Sequence, residues 1–217
     1  MKRKSWMLLT CALMAISATA GAEVKVPAFP KTGKTVNDFV PAGWKILKKA
    51  EGDLNKDNLP DMAVILASNV EDTNSDDAMD APRPLLLLLK QADGSLVLSG
   101  MRPDFVMCKQ CGGVFGDPLD DLKIERGTVV VKHYGGSNDR WGSTHRFRYQ
   151  DGDWYLIGMT VMNHNNLSGV HYEKDENLLT GDTVETNTDE KGRTTTKKYK
   201  DPKKATPPKL SQVQLDQ

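Results

Sequence analysis

Short apolar segments joined by glycine-containing turns constrain the fold of this chain more than any other feature. Asp-Gly or Arg-Gly pairs stand at 93–94, 126–127 and 151–152, each with apolar segments on both sides. Such pairs suit tight hairpin turns, because glycine adopts a positive φ without strain. Convincing helical periodicity is missing from the sequence. The pattern therefore predicts a mainly β protein, built as an antiparallel meander of hairpins.

Composition divides the 217 residues into three parts. Residues 1–22 have the pattern of an export signal, and residues 23–181 are predicted to form a single β-rich domain. Residues 182–217 form a polar tail rich in Lys, Thr and Pro, in which residues 184–187 and 194–199 have the pattern of one edge hairpin. The rest of this tail is predicted to be flexible, because it cannot bury enough apolar surface to offset its ordering entropy.

Residues 68–84 differ sharply from the segment that follows them. The stretch SNVEDTNSDDAMDAPRP contains many acidic residues and two prolines, whereas residues 85–89 are five consecutive leucines. We expect an exposed loop without a role in the core, followed by a buried strand.

The first 22 residues indicate export to a bacterial periplasm. A basic start, an apolar stretch and the sequence Ala-Gly-Ala, ending at Ala22, are typical of a signal peptide that is cleaved after Ala22. The apolar stretch is shorter than the roughly 20 residues that a spanning helix needs, so no stable membrane insertion is predicted. Cys11 follows Thr10 and too little apolar sequence, which disfavours a lipid anchor at this cysteine.

Cleavage at this position would change the charge of the chain. The signal contains three basic residues and no acidic ones, so the 29 basic residues fall to 26 against 29 acidic ones, a net charge of −3. Nucleic-acid binding usually needs a basic face, so no nucleic-acid partner is predicted. Nothing in the sequence indicates an oligomeric state.

The stretch GDLNKDNLPD, residues 52–61, concentrates oxygen ligands directly before an apolar strand. If Asp53 is counted as the first position, Asn55 and Asp57 are the third and fifth. The Leu59 carbonyl is then the seventh position and Asp61 the ninth. Calcium prefers oxygen ligands, and carboxylates that alternate with other residues converge in a curled loop. The spacing predicts a structural calcium ion, and the alternative is a polar Asx-rich turn without metal.

This loop resembles the D-x-[DN]-x-D-x-x-x-D loops of FG-GAP (integrin-like) repeats, which also continue directly into a β-strand. The resemblance implies calcium at Asp53, Asn55, Asp57 and Asp61. It covers a single loop, so a propeller of several blades is not predicted. Asn58 replaces the usual glycine after Asp57, and Asn tolerates the left-handed conformation better than most residues. Longer stretches, such as CKQCGGVFGDP, resemble a group of secreted bacterial proteins whose activity is uncharacterised.

Cys108 and Cys111 are the two cysteines that remain after cleavage. An oxidising compartment favours a disulfide between them, which would brace a loop. Thiol-disulfide exchange is an alternative, but it normally uses a cysteine at a helix N-terminus, and Gly112 and Gly113 disfavour a helix here. Zinc is a second alternative that would need two further ligands, and no spacing of the four histidines suggests a pair.

Residues 132–149, KHYGGSNDRWGSTHRFRY, are the candidate recognition surface. Trp141 beside Arg140 would form an anchor of the kind enriched at binding hot spots. Alternatively, Trp141 packs on the sheet and the histidines are ordinary strand residues. The candidate binding residues are His133, Tyr134, Asn138, Arg140, Trp141 and His145.

The sequence as a whole predicts an exported calcium-binding β-domain with a binding or accessory role. The expected partner is an envelope protein, bound in the manner of an inhibitor or immunity protein. The alternative is a periplasmic enzyme, either a thiol-disulfide exchanger or a hydrolase that uses the His133–His145 region. Ser137 and Ser143 lie near these histidines but lack a nucleophile-elbow context, so no catalytic residue is assigned.

Overall fold

Two antiparallel sheets form the fold in the computed structural model, which describes residues 25–73 and 81–213. The five-stranded sheet contains β1 (Thr32–Gly33), β2 (Trp44–Gly52), β3 (Asp61–Ser68), β4 (Arg83–Lys90) and β5 (Leu96–Val106). The seven-stranded sheet contains β6 (Leu119–Glu125), β7 (Thr128–Gly136), β8 (Asp139–Gln150), β9 (Asp153–Asn165), β10 (His171–Asn177), β11 (Asp182–Thr188) and β12 (Thr194–Lys200). Short 3₁₀ turns lie at Val36–Phe39, Asn69–Asp72, Pro202–Lys204 and Leu210–Gln212. The export signal lies outside the described residues.

The mainly β, antiparallel prediction is confirmed, and the strands follow one another as a meander within most of each sheet. The strand order is β1-β5-β4-β3-β2 in one sheet and β12-β11-β10-β9-β8-β7-β6 in the other. Arg126 and Asp151 both have φ of 52°, and each precedes a glycine with positive φ. These turns match the right-handed twist of the flanking strands, which is why they close hairpins.

The apolar strands β3 and β4 are buried on both faces. One face contributes Ile65, Leu85 and Leu87 to the main core between the two sheets. The opposite face contributes Leu66 and Leu86 to a second cluster that includes Phe39 from the N-terminal segment. A central strand covered on both sides is expected to be apolar at every position, which explains the continuous leucine run.

The main core is closed by the seven-stranded sheet. Val129, Val131 and Phe147 point toward the five-stranded sheet and are fully buried. Trp154 joins the two sheets directly, because its indole N–H donates to the Ser99 hydroxyl at 3.1 Å. The side of the seven-stranded sheet that carries these residues is called the inner face here, and the opposite side is the outer face.

The C-terminal segment corrects the prediction of a flexible tail. Strands β11 and β12 form the expected edge hairpin. Beyond them the chain returns to the core, where Leu210 and Val213 are buried. The Leu156 N–H donates to the Pro208 carbonyl at 2.9 Å and fixes this return. Two apolar side chains in a polar segment are enough to anchor it, and average composition does not reveal them.

Candidate functional site

The oxygen-rich loop connects β2 and β3, with Gly52 paired to Asp61 at its base. The Asp53 carboxylate accepts hydrogen bonds from the Lys56 N–H at 2.6 Å and the Asn58 N–H at 3.1 Å. Asn58 has φ of 65°, the left-handed conformation expected at this position. Because these side chains bond to nearby backbone groups, the loop curls back on itself.

Asp61 anchors the loop to the five-stranded sheet. Its carboxylate is fully buried and accepts the Leu54 N–H at 2.7 Å and the Lys90 N–H at 2.8 Å. Burial raises the pKa of Asp61, although the backbone N–H donors act in the opposite direction. The Leu54 side chain lies in the main core, so Leu54 anchors the loop through both its backbone N–H and its side chain.

The donors available for calcium form a mixed set. Among the residues described, no three His, Cys, Asp or Glu side chains are placed to hold a metal ion together. The predicted ligands also include the Asn55 amide and the Leu59 carbonyl, and carboxylate, amide and carbonyl oxygens are the donor types that calcium prefers. The donor set fits calcium in kind, and calcium binding stays a prediction.

The disulfide loop connects β5 and β6. Cys108 and Cys111 are joined, with their Cα atoms 5.2 Å apart. Turns follow Cys111, so neither cysteine stands at the start of a helix of the kind that lowers a thiol pKa. The Gly136 N–H donates to the Gly112 carbonyl at 3.0 Å, and the Val114 N–H donates to the Gly136 carbonyl at 3.1 Å. The loop is therefore bonded to the β7–β8 turn.

A buried ionic cluster supports the base of this loop and corrects the expectation for residues 68–84. The Arg83 side chain is fully buried and pairs with Glu71, which is also buried, at 2.5 Å. It also contacts the Asp117 carboxylate at 2.7 Å and donates to the Met107 carbonyl at 3.1 Å. The sequence analysis did not predict this cluster, and the only signal for it was an arginine two residues before the leucine run.

His133 lies beside this cluster, inside the protein. Its Nε2 accepts the Met107 N–H at 3.4 Å, and its Nδ1 has no hydrogen-bond partner within the described part of the chain. Burial, together with the nearby Arg83 charge, lowers the pKa of His133 to about 4. The imidazole is therefore neutral at pH 7. Neither of its nitrogens is hydrogen-bonded to Ser137 or Ser143.

This buried imidazole predicts a loss of stability in mild acid. Since the folded-state pKa of about 4 lies below the usual 6.5, the unfolded chain binds the extra proton first as the pH falls. Because of His133, the free energy of unfolding should therefore fall by roughly 3 kcal/mol when the pH is lowered from 7 to 4.

Urea unfolding of the wild type and of His133→Gln at both pH values measures this cost. The variant should show a flatter pH dependence than the wild type. Equal slopes in the wild type and His133→Gln would contradict the assignment.

The six candidate binding residues separate onto four locations. His133 and His145 are buried, and their rings lie 6.3 and 5.1 Å from that of Phe105, so they line no surface. Tyr134 and Arg140 lie on the outer face, since each neighbours an inner-face residue along its strand. The two remaining residues are placed differently: Asn138 lies in the β7–β8 turn and Trp141 on the inner face.

Exposed apolar side chains gather near the β7–β8 turn. Of the five large apolar residues exposed in the described ranges, four stand on two loops there: Val114, Phe115, Leu167 and Val170. Val114 and Leu167 are 77% and 87% exposed. The Asn166 N–H donates to the Asn138 carbonyl at 2.9 Å, which joins the β9–β10 loop to the same turn. This group of four is called the apolar end below.

Phe115 is held in a fixed stack. The Arg140 guanidinium lies 5.2 Å from the centre of the Phe115 ring, within the range of a cation–π contact. The same guanidinium donates to the Tyr134 hydroxyl at 3.1 Å, and the Tyr134 and Phe115 rings are 5.4 Å apart. An exposed aromatic ring is thus pre-positioned on the outer face.

The architecture defines the class of the protein as a two-sheet antiparallel β-domain with a disulfide loop. No family model matches the chain, and no curated protein or solved structure does either. Within residues 25–73 and 81–213, the structure has no helix that is long and apolar enough to cross a membrane.

Proposed function

We propose that the protein is an exported calcium-binding β-domain that binds another protein of the envelope through its apolar end. The observation that carries this proposal is the gathering of Val114, Phe115, Leu167 and Val170 around one turn. Exposed apolar residues scattered over a surface need no explanation, whereas several at one end of a domain mark a candidate interaction site. The size and exposure of these side chains suit the centre of a protein interface.

The rigidity of the apolar end supports a binding role. The Cys108–Cys111 disulfide constrains the loop that carries Phe115, and the Arg140 guanidinium packs against the Phe115 ring. Arginine and aromatic residues dominate the energetics of protein interfaces. A surface that is already ordered loses less conformational entropy on association, so each contact contributes more to affinity.

The proposed calcium loop is remote from this surface. The Asp53 carbonyl lies beside Gly127 in the β6–β7 turn. The apolar end lies at the β7–β8 turn, at the other end of strand β7. A calcium ion would therefore stabilise the hairpin between β2 and β3 without touching the partner. Calcium binding and partner binding are separable properties under this proposal.

Site-specific photo-crosslinking in intact cells tests the partner interaction. A photoreactive phenylalanine analogue at position 115 should form one dominant adduct with another protein, identified by mass spectrometry. The same analogue at Met101 is the matched control, because Met101 is similarly exposed but lies on β5. Adding Leu167→Asp should reduce the adduct at position 115. No adduct at position 115, or the same adducts at both positions, would contradict the proposal.

A further inference from the structure

The inner face of the seven-stranded sheet continues beyond the part that packs in the core. Strand β7 pairs with β8 without a register shift, so Trp141 points to the same side as buried Phe147. Trp141 is paired with Asn163, Asn163 with Tyr172, and Tyr172 with Asn187. Directly paired residues share a face. These four residues, called the aromatic–amide row below, therefore run side by side across β8, β9, β10 and β11.

Three of the four row residues line a cleft of about 350 Å³. Trp141, Asn163 and Tyr172 line it together with five neighbours: Asp139, Arg140, His164, Asn165 and Val170. The Asn165 amide donates to the Asp139 carboxylate at 2.6 Å, which holds that charge at the end of the cleft. The row itself is uncharged, and its two asparagines are exposed. The cleft thus combines aromatic surfaces with accessible carboxamides.

The position of the Trp141 ring depends on the glycine at position 135. A Cβ atom on Gly135 would lie 2.7 Å from Cζ2 of the indole and 2.9 Å from the Gly112 Cα. Only glycine leaves room for the ring and for the disulfide loop at this point. The indole is therefore seated against backbone while it also lines the cleft, which is a pre-organised platform for a ligand.

We propose that this cleft binds a neutral oligosaccharide. Strands lie about 4.8 Å apart, so Trp141 and Tyr172, separated by β9, stand roughly 10 Å apart. That separation matches the length of a disaccharide unit. The C–H face of a sugar ring stacks on an aromatic ring, and carboxamides both donate to and accept from hydroxyl or acetamido groups. The row is uncharged, and the two charged residues that line the cleft, Asp139 and Arg140, are of opposite sign, so the cleft favours neither an anionic nor a cationic sugar.

The position of the row disfavours an extended peptide as the ligand. Peptides that add to sheets pair with the backbone of an edge strand. The row crosses β8 to β11, and each of these strands is already paired on both sides. Binding must then use side chains alone, as the stacking and hydroxyl contacts of a sugar do.

Calorimetric titration of the mature protein with the tetramers of N-acetylglucosamine and of glucose tests the proposal. Trp141→Ala and Tyr172→Ala should each weaken binding about tenfold. Trp141→Phe retains a ring and should bind more tightly than Trp141→Ala, which separates stacking from folding. Tyr155→Ala, an aromatic deletion opposite Arg148 on the outer face, should leave the affinity unchanged.

Two results would overturn the saccharide assignment. One is no binding of either tetramer by a folded protein, and the other is equal affinity in the wild type and Trp141→Ala. Binding of a proline-rich peptide, without binding of the tetramers, would also overturn the assignment and would identify a peptide as the ligand of the cleft. Val170 belongs to both the cleft and the apolar end, but failure here leaves the crosslinking test unaffected, because that test is read out at Phe115, which does not line the cleft.

Discussion

Replacing Arg83 with methionine should lower the free energy of unfolding by about 3–5 kcal/mol. The reason is the Glu71 carboxylate, which is 2% exposed and would remain buried without its guanidinium partner. Asp117 contributes less to the loss, because its side chain is 37% exposed and retains contact with water. The Met107 carbonyl would also lose a donor, which weakens the base of the disulfide loop.

Urea unfolding measures this effect, with Arg102→Met as the matched control. Arg102 pairs with Asp104, which is 66% exposed, and donates to the Ser211 carbonyl, so its replacement leaves no buried charge unpaired and should cost clearly less than that of Arg83. The double variant Arg83→Met/Glu71→Leu removes both charges and should recover part of the loss. A single Arg83→Met variant as stable as the Arg102→Met control would show that the cluster does not stabilise the fold.

Strands and turns were predictable because their signals are local. Alternation and Asp-Gly or Arg-Gly pairs located three hairpins, β4–β5, β6–β7 and β8–β9, and the leucine run 85–89 indicated a buried strand. Strand β10, with the sequence HYEKDEN, was not predicted because it has almost no apolar residues. It is held by backbone pairing with β9 and β11, which the sequence pattern does not reveal. The division into two sheets was not predictable, since no local pattern states which strand ends one sheet and begins the next.

Site residues were predictable only where their role is local. The turn formed by Asp53 and Asn58 follows from side chains that bond to neighbouring backbone. By contrast, His133 and Trp141 lie on the same face of adjacent strands, yet one is buried and the other lines a cleft. The difference depends on where the five-stranded sheet ends above them. The edge of the five-stranded sheet is set by tertiary structure, so the sequence of residues 132–149 does not predict which of the two residues is buried.

Calcium should raise the melting temperature of the mature, oxidised protein on the order of 10 °C. A ligand that binds only the folded state at a thousandfold excess over its dissociation constant contributes about 4 kcal/mol. For a domain of this size, each kcal/mol shifts the midpoint by roughly 2–4 °C. The ion would also neutralise Asp53 and Asp57, which repel each other in its absence.

Asp57→Asn separates the ion from the turn. In the wild type the Leu59 N–H donates to Asp57 at 2.8 Å, and an asparagine retains a carbonyl oxygen for this bond. The substitution removes one negative charge and the acceptor of the exposed Asn55 amide. The variant should therefore fold in chelator as the wild type does and lose most of the rise in calcium. Asp93→Asn is the control, since Asp93 makes the same kind of turn bond to the Ser95 N–H in a different hairpin. Equal melting in calcium and chelator for the wild type would leave GDLNKDNLPD as a self-bonded polar turn, held by Asp61 and Leu54 without a metal.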